Sequence, residues 1–317
     1  MKANPYHIWL SEIMLQQTTV ATVKDYFIRF LTLWPTVEAM AAADEEDILK
    51  AWAGLGYYSR ARNLKKSADI IVAEYGGVFP TDAKDLRALP GIGDYTSAAI
   101  AAIAHDHAEP VVDGNIERIL SRLYRIEAPL PKSKPEIRQR MGALVPQIHA
   151  GNFVQAMMDL GATICTPRNP KCGDCPISAS CQAGKTGEPT RWPIKLAKKP
   201  KPERVGAAFV AISGDGAVLL QKRGDQGLLA GMSEVPTTNW DSRTDGETGI
   251  DAAPFEANWL ACGSIRHTFT HFHLTLHVFR ADIDARPKTN GWWSDDVGNE
   301  ALPTVFRKAI ERGLGSS

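Results

Sequence analysis

Through residue 204, apolar side chains recur at the three- and four-residue spacing of helices that bury one face. Ile8-Trp9-Leu10 through Phe30 follows this spacing with few β-branched runs, which predicts helix. Asp44 is placed to cap a helix reaching Trp52, and Gly54-Leu55-Gly56 ends it. Another helix is expected over 60–74, stopped by Gly76-Gly77, and Thr81 or Asp82 opens a shorter one. Further helices are expected over 94–105, 115–124, 134–149 and 152–165. Beyond residue 204 the period shortens: 205–212, 218–221, 274–279 and 292–294 read as strands, and 303–312 as a helix. The chain has no internal repeat.

The two regimes meet at 185–204, a stretch rich in Lys and Pro that reads as an extended basic linker. A chain of 317 residues is long for one core, which fits an all-helical part followed by an α/β part. Formal net charge is zero, but its distribution is uneven. Residues 206–317 carry ten basic against fourteen acidic side chains, leaving 26 against 22 before them. Much of that basic excess lies around the linker, in Lys195, Lys198, Lys199 and Lys201. No apolar run is long enough to span a bilayer, and Met1-Lys2-Ala3-Asn4-Pro5 leads into a helical pattern without a signal-peptide core. The expectation is a cytoplasmic protein.

Leu89-Pro90-Gly91-Ile92-Gly93 runs into Asp94-Tyr95-Thr96 and a helix of small residues, then into Val112-Asp113-Gly114-Asn115. The two glycines permit a tight turn with positive dihedrals and close approach of the main chain to a ligand. A helix starting near Asp94 offers free N–H groups and a positive dipole end, which suit a phosphate. Asp113 follows Tyr95 by eighteen residues, room for one helix and a return loop. Alone, such a turn is more often an ordinary helix connection.

Four of the five cysteines cluster as Cys165, Cys172, Cys175 and Cys181, with six, two and five residues between them. In a cytoplasmic chain this is a metal-site pattern rather than a pair of disulfides. Four thiolates suit tetrahedral zinc or an iron–sulfur cluster, and spacing does not separate the two. Cys262 reads as an ordinary buried thiol.

In company, these motifs resemble the helix-hairpin-helix DNA glycosylases and, over nearly the whole chain, the adenine DNA glycosylase (MutY) family. The resemblance implies a multidomain α plus α/β protein. Residues 1–106 would form a six-helix barrel domain with the hairpin, and 107–184 a helical iron–sulfur domain. Residues 185–204 would be the basic linker, and 205–317 a Nudix-like 8-oxoguanine recognition domain. The cysteine spacing matches the 4Fe–4S loop of the superfamily, in which Arg168 and Lys171 become candidate DNA contacts.

Releasing adenine needs an acid that protonates the leaving base and a carboxylate that meets an oxocarbenium-like sugar. The stretch Trp9–Thr18 matches the family, which makes Glu12 the acid, and Asp113 after the hairpin fills the second role. At position 95, endonuclease III-like enzymes carry a Lys that forms a Schiff base; Tyr95 cannot, which implies a monofunctional glycosylase using water. Asn115 matches the family residue that hydrogen-bonds within the catalytic site, and Gln155 one that contacts the flipped adenine. A base inside the stack must be flipped out before it can react. Gly54-Leu55-Gly56-Tyr57-Tyr58-Ser59-Arg60 resembles the family wedge, with Leu55 and Tyr57 as DNA contacts and Arg60 for phosphate. Gln17 would prop the duplex from the other side, and Gly91 and Gly93 would meet the backbone.

In the last domain His267, His271, His273 and His277 lack a regularly spaced acidic partner, so a zinc site is not expected. Phe269-Thr270-His271 instead resembles the Phe-Ser-His loop that reads 8-oxoguanine, with Thr for Ser. Only Glu234 occurs in 227–240, without the acidic helix of a Nudix hydrolase, so pyrophosphatase activity is not expected. The implied partner is duplex DNA with adenine opposite 8-oxoguanine or guanine. The implied protein is a nucleoid-associated monomer of bacterial type, with no membrane partner. Rival readings are an endonuclease III-like pyrimidine glycosylase/lyase, a hydrolase of damaged nucleotides and a lesion-binding module without turnover. One departure stands out. The family usually has a further segment before Asn4-Pro5-Tyr6, with a Leu-Pro-Trp-Arg stretch that touches DNA, and this sequence starts after it.

Overall fold

The computed structural model describes residues 4–196, 200–224 and 227–315. Lys198 and Lys199, counted above in the linker charge, lie outside the described residues. The helices are α1 (Pro5–Leu15), α2 (Val20–Leu33), α3 (Val37–Ala42), α4 (Glu45–Trp52), α5 (Ser59–Tyr75), α6 (Ala83–Leu86), α7 (Asp94–His105), α8 (Gly114–Leu123), α9 (Lys134–Leu144), α10 (Ala150–Thr163) and α11 (Thr304–Gly313). The strands are β1 (Glu203–Ser213), β2 (Val218–Lys222), β3 (Ser233–Glu234), β4 (Leu260–Thr268), β5 (His273–Ile283) and β6 (Trp292–Ser294). Two compact units result. The first holds residues 4–42 and 63–196; the second holds 43–62 with the described residues from 200 onward. α4, the loop after it and the first turn of α5 therefore group with the strand-containing unit.

In the first unit α7 is the central element, with Thr96 through Ala102 buried on every side. Its alanines let neighbours approach closely. Gly151 of α10 sits so near that an added Cβ would lie 2.5 Å from the Ala102 carbonyl oxygen. α1 packs on the same helix, buries Trp9, Leu10, Ile13 and Met14, and starts with Pro5 behind an Asn4 cap. At the far end of α7, the Asp106 carboxylate accepts from the backbone of His149 and Gly151 and so holds the start of α10.

Several boundaries differ from expectation for identifiable reasons. The stretch from Ile8 to Phe30 is two helices, because Gln17 adopts φ 57° and Thr19 opens α2 as its cap. The helix begun at Lys134 stops at Leu144, since Val145 precedes Pro146 and takes an extended conformation. The stretch 185–196 is not a free connector. Trp192 is 1% exposed, the Arg122 side chain donates to its carbonyl, and Leu130 pairs with the segment through the Ile194 carbonyl.

The second unit is a six-stranded sheet in the order β3-β2-β1-β5-β4, with β6 also on β2. β1 and β5 run parallel, and the other pairs are antiparallel. Alternation along β1 serves two cores. Ala208, Val210 and Ile212 face α11 with Phe306 and Leu276, while Ala207, Phe209 and Ala211 pack with Trp259 and Ile283. β4 was not anticipated; a bulge at Ala261–Ser264 with Gly263 at φ 88° breaks its alternation, and only Ile265 is buried. No helix among the described residues is long and apolar enough to cross a membrane.

Candidate functional site

In the first unit, Glu12 on α1 and Tyr95 in the first turn of α7 are joined by a hydrogen bond from the phenol to the carboxylate. Glu12 is 8% exposed. Burial pushes its carboxyl up to about 7, the negative charge of Asp113 adds to the rise, and the Tyr95 bond opposes it. The phenol itself is held protonated, first by burial and then by the neighbouring Glu12. Asp113 caps α8, its Oδ1 accepting the Ile116 amide at 2.7 Å, which fixes the carboxylate at a helix start. Two carboxyl groups with opposed environments thus share one place: one buried and biased toward its neutral form, the other anchored by a helix N-terminus.

Asn115 lies one residue into α8, and its Oδ1 accepts from Arg118 Nη2 at 2.9 Å. Arg118 also donates to the Cys165 carbonyl at 2.6 Å and the Gly161 carbonyl at 2.6 Å. One guanidinium therefore ties Asn115, at the start of α8, to the main chain at the first cysteine. Neither Arg118 nor Gly161 was singled out in the sequence. Arg118 stands three residues after Asn115, on the same helical face, which was the available signal.

The hairpin between α6 and α7 uses its glycines unequally. Gly91 has φ 76°, and a Cβ there would strike Asn63 at 2.8 Å. Gly93 is extended, contrary to the paired left-handed turn expected, and an added Cβ would meet open space. Gly93 therefore leaves the start of α7 open to an approaching phosphate rather than making the turn. Gln16 braces the hairpin through its amide, donating to Gly91 O at 3.4 Å and Thr96 Oγ1 at 3.2 Å. The adjacent Gln17 is exposed. Gln155 is exposed on α10, with its amide on the Gly151 carbonyl at 3.1 Å.

The four cysteines line a cavity of about 340 Å³ together with Arg122 and Gly184. Arg122 Nη1 donates to Cys165 Sγ at 3.3 Å, and the Gly184 amide to Cys181 Sγ at 3.4 Å. Among the described residues no three His, Cys, Asp or Glu side chains close around a single-ion position. Four thiols around a cavity, with N–H groups turned to sulfur, fit an iron–sulfur cluster.

In the second unit, Gly54 (φ 96°), Gly56 (φ 75°) and Tyr57 (φ 52°) form a tight loop ahead of α5. The Gly56 carbonyl accepts from both Trp52 Nε1 and Arg60 Nη2 at 3.0 Å. Arg60 was expected to meet phosphate. It is instead buried, donating to Leu55 and Gly56 carbonyls and lying over the Trp52 and Tyr57 rings, so it braces the loop. Leu55 is 5% exposed and supports the loop from beneath, whereas Tyr57 is 44% exposed. The Tyr57 hydroxyl lies 2.6 Å from Thr270 Oγ1. Thr270 and His271 are exposed at the turn between β4 and β5, while Phe269 stacks on Phe272 with ring centroids 4.8 Å apart. Both loops border one cavity of about 540 Å³, lined by Tyr57, Arg62, Leu229, His267, Phe269 and His271. Glu234, the lone acidic candidate of the Nudix comparison, is buried and paired with Arg223 at 2.6 Å.

Residues 10–147 match the HhH-GPD superfamily of base excision DNA repair proteins. Residues 165–181 match the iron–sulfur binding domain of endonuclease III, and 207–312 a NUDIX domain. A Homo sapiens protein described as adenine DNA glycosylase is 36% identical over 97% of this chain and 67% of its own length. The adenine DNA glycosylase of Buchnera aphidicola from Schizaphis graminum is 34% identical over 96% of this chain and 90% of its own. Among solved structures, a thermostable thymine-DNA glycosylase aligns at 31% identity with a TM-score of 0.54, covering 58% of this chain and 85% of that one.

Proposed function

The chain belongs to the adenine DNA glycosylase family, and from that premise we propose that Glu12 and Asp113 hydrolyse the N-glycosidic bond of an adenine flipped from a mispair with 8-oxoguanine or guanine. The protein is a DNA glycosylase of base excision repair with an iron–sulfur domain and a Nudix-like domain. The carrying observation is the meeting of Glu12, Tyr95 and Asp113, with the Glu12 carboxyl raised to about 7. A neutral Glu12 donates its proton to a ring nitrogen of adenine, which turns a poor leaving group into a good one. As the bond lengthens, positive charge develops on the sugar, and the Asp113 carboxylate, held by the Ile116 amide, stabilises it. Tyr95 has no amine with which to trap that sugar, so water completes hydrolysis and the strand is left uncut.

Cys165, Cys172, Cys175 and Cys181 would hold the 4Fe–4S cluster, which supplies a four-point cross-link ordering a loop of little apolar content. Gly91 and Gly93 would meet the DNA backbone, Tyr57 would enter the stack, and Phe269, Thr270 and His271 would read the opposing base. Gln17 and Gln155, both exposed, remain proposed DNA contacts.

The test is incubation with duplexes carrying adenine opposite 8-oxoguanine, adenine opposite guanine, or an oxidised pyrimidine. Strand scission is expected only after alkali, only at the adenine, and without a borohydride-trapped adduct. Release of the pyrimidine or a trapped Schiff base would favour the lyase reading and overturn this one.

A further inference from the structure

We propose that Gln16, at the end of α1, is a positioning residue for the reaction: its side-chain amide locks the α1 turn that carries Glu12 to the α7 turn that carries Tyr95, and ties both to the hairpin. The inference rests on the reading of Glu12 as the acid that protonates adenine.

Glu12 sits in the last turn of α1, a helix of 11 residues. The final carbonyls of a helix have no partner further along it, and such a turn frays unless something else holds it. Continuation into α2 gives no support, because Gln17 takes φ 57° and breaks the helix directly after Gln16. Two cross-links join this turn to α7. The first is the Tyr95 phenol on the Glu12 carboxylate. The second is Gln16 Nε2 on Thr96 Oγ1 at 3.2 Å. Glu12 and Gln16 are four residues apart, on the same side of α1, and Tyr95 and Thr96 are neighbours at the start of α7. The two bonds therefore stand as adjacent rungs. Thr96 is 2% exposed, so water competes poorly for the second rung.

An amide suits both partners of Gln16. The Gly91 carbonyl, 3.4 Å from the same Nε2, is an acceptor, and Thr96 Oγ1 serves as one. An amide nitrogen has two protons, one for each. A carboxylate at this position would face the Gly91 carbonyl with no proton to give. The longer bond carries the link into the hairpin, where Ser67 Oγ of α5 donates to the neighbouring Pro90 carbonyl at 2.8 Å. Successive carbonyls of the turn are thus held from α5 and from α1. The Gly93 face, open to a phosphate, then stands in fixed relation to Glu12, so docking of the DNA backbone sets where the acid meets the base.

Tyr95 of α7 and Asp113 at the start of α8 are the titratable groups that act on Glu12. Of the two, Tyr95 favours the charged carboxylate through its bond, and Asp113 opposes it. Loosening the rung beside Tyr95 weakens that bond, which leaves the carboxyl protonated to higher pH.

The test is single-turnover adenine release at saturating enzyme, followed across pH, by the cluster-loaded full chain and its Q16M, T96V, T96S and Q16M/T96V variants. E12Q and Y95F serve as references. Q16M keeps the length of the side chain and removes both donors. On the acid plateau its rate should fall by about three- to tenfold, the worth of one hydrogen bond. Its basic limb should move to higher pH, the direction expected of Y95F. T96V should repeat both effects, T96S should stay within about twofold of the parent, and the double variant should lose no more than T96V alone. Affinity for an undamaged duplex should change by less than about threefold, since the backbone contacts that dominate it remain and Ser67 still holds the hairpin. An unmoved limb, or losses that add in the double variant, would reduce Gln16 to a stabilising contact and overturn the proposal. An inactive E12Q beside that result would leave the role of Glu12 standing. An E12Q variant as active as the parent would remove that role and the proposal with it.

Discussion

In the proposed mechanism Glu12 carries the chemistry most exposed to pH. Its raised carboxyl is active when neutral, so excision should decline as pH climbs through about 7, read as the basic limb of the single-turnover profile. Tyr95→Phe removes the one bond that favours the charged form, so this limb should move to higher pH while the Schiff-base test stays negative. The same burial affects stability with a definite sign. The folded-state carboxyl lies above its ordinary value of 4.5, so the stabilisation it confers is complete in acid and lost as pH rises toward 7. Glu12→Gln should abolish excision yet melt higher than the parent at pH 8. Near pH 4 the difference should vanish. The gain is bounded by about 3 kcal/mol, at roughly 1.4 kcal/mol per unit. Asp113 was legible from its place after the hairpin, whereas Glu12 stood out only through the family resemblance of its stretch, Trp9–Thr18. What the letters do not carry is environment: that Arg60 turns inward, or that Gly93 needs no left-handed backbone, depends on neighbours brought in from elsewhere.

At the scale of elements, α8 and α10 are matched through glycine. A Cβ on Gly161 would lie 2.5 Å from Asn115 Cβ and 3.2 Å from its Cα, so Gly161→Ala must push the start of α8. If the proposed role of Asp113 and Asn115 holds, excision should fall by about ten- to hundredfold, the cost of misplacing a reacting group. Gly173→Ala, which would meet nothing within 4 Å, should leave it intact. Arg118 acts between the same elements. Arg118→Ala deprives Asn115, Gly161 and Cys165 of a shared donor, and should lower excision while also speeding loss of the cluster's absorbance under oxidant. Helices with strong apolar periodicity were readable to within a residue or two, as were β1, β2, β6 and α11. The failures have physical sources: β4 exposes most of its side chains, and the break before α2 lies in a residue, Gln17, whose type does not announce a left-handed backbone.

At the scale of the whole molecule, the loop 165–191 has only 3-10 turns of its own and little buried apolar surface. Removing iron should therefore open it to proteases at its exposed Lys and Arg positions. The unit built on β1 and β5 has its own two-sided core and should keep its melting profile under the same treatment, measured by calorimetry of both forms. The division of the chain into units also bears on how such proteins can be recombined. Residues 43–62 are encoded amid the helices yet belong with the sheet. A hybrid joined only at the stretch near residue 200 would pair one parent's 43–62 segment with another parent's turn between β4 and β5. Exchanging the whole second unit between relatives thus takes three junctions, at both ends of 43–62 and near residue 200.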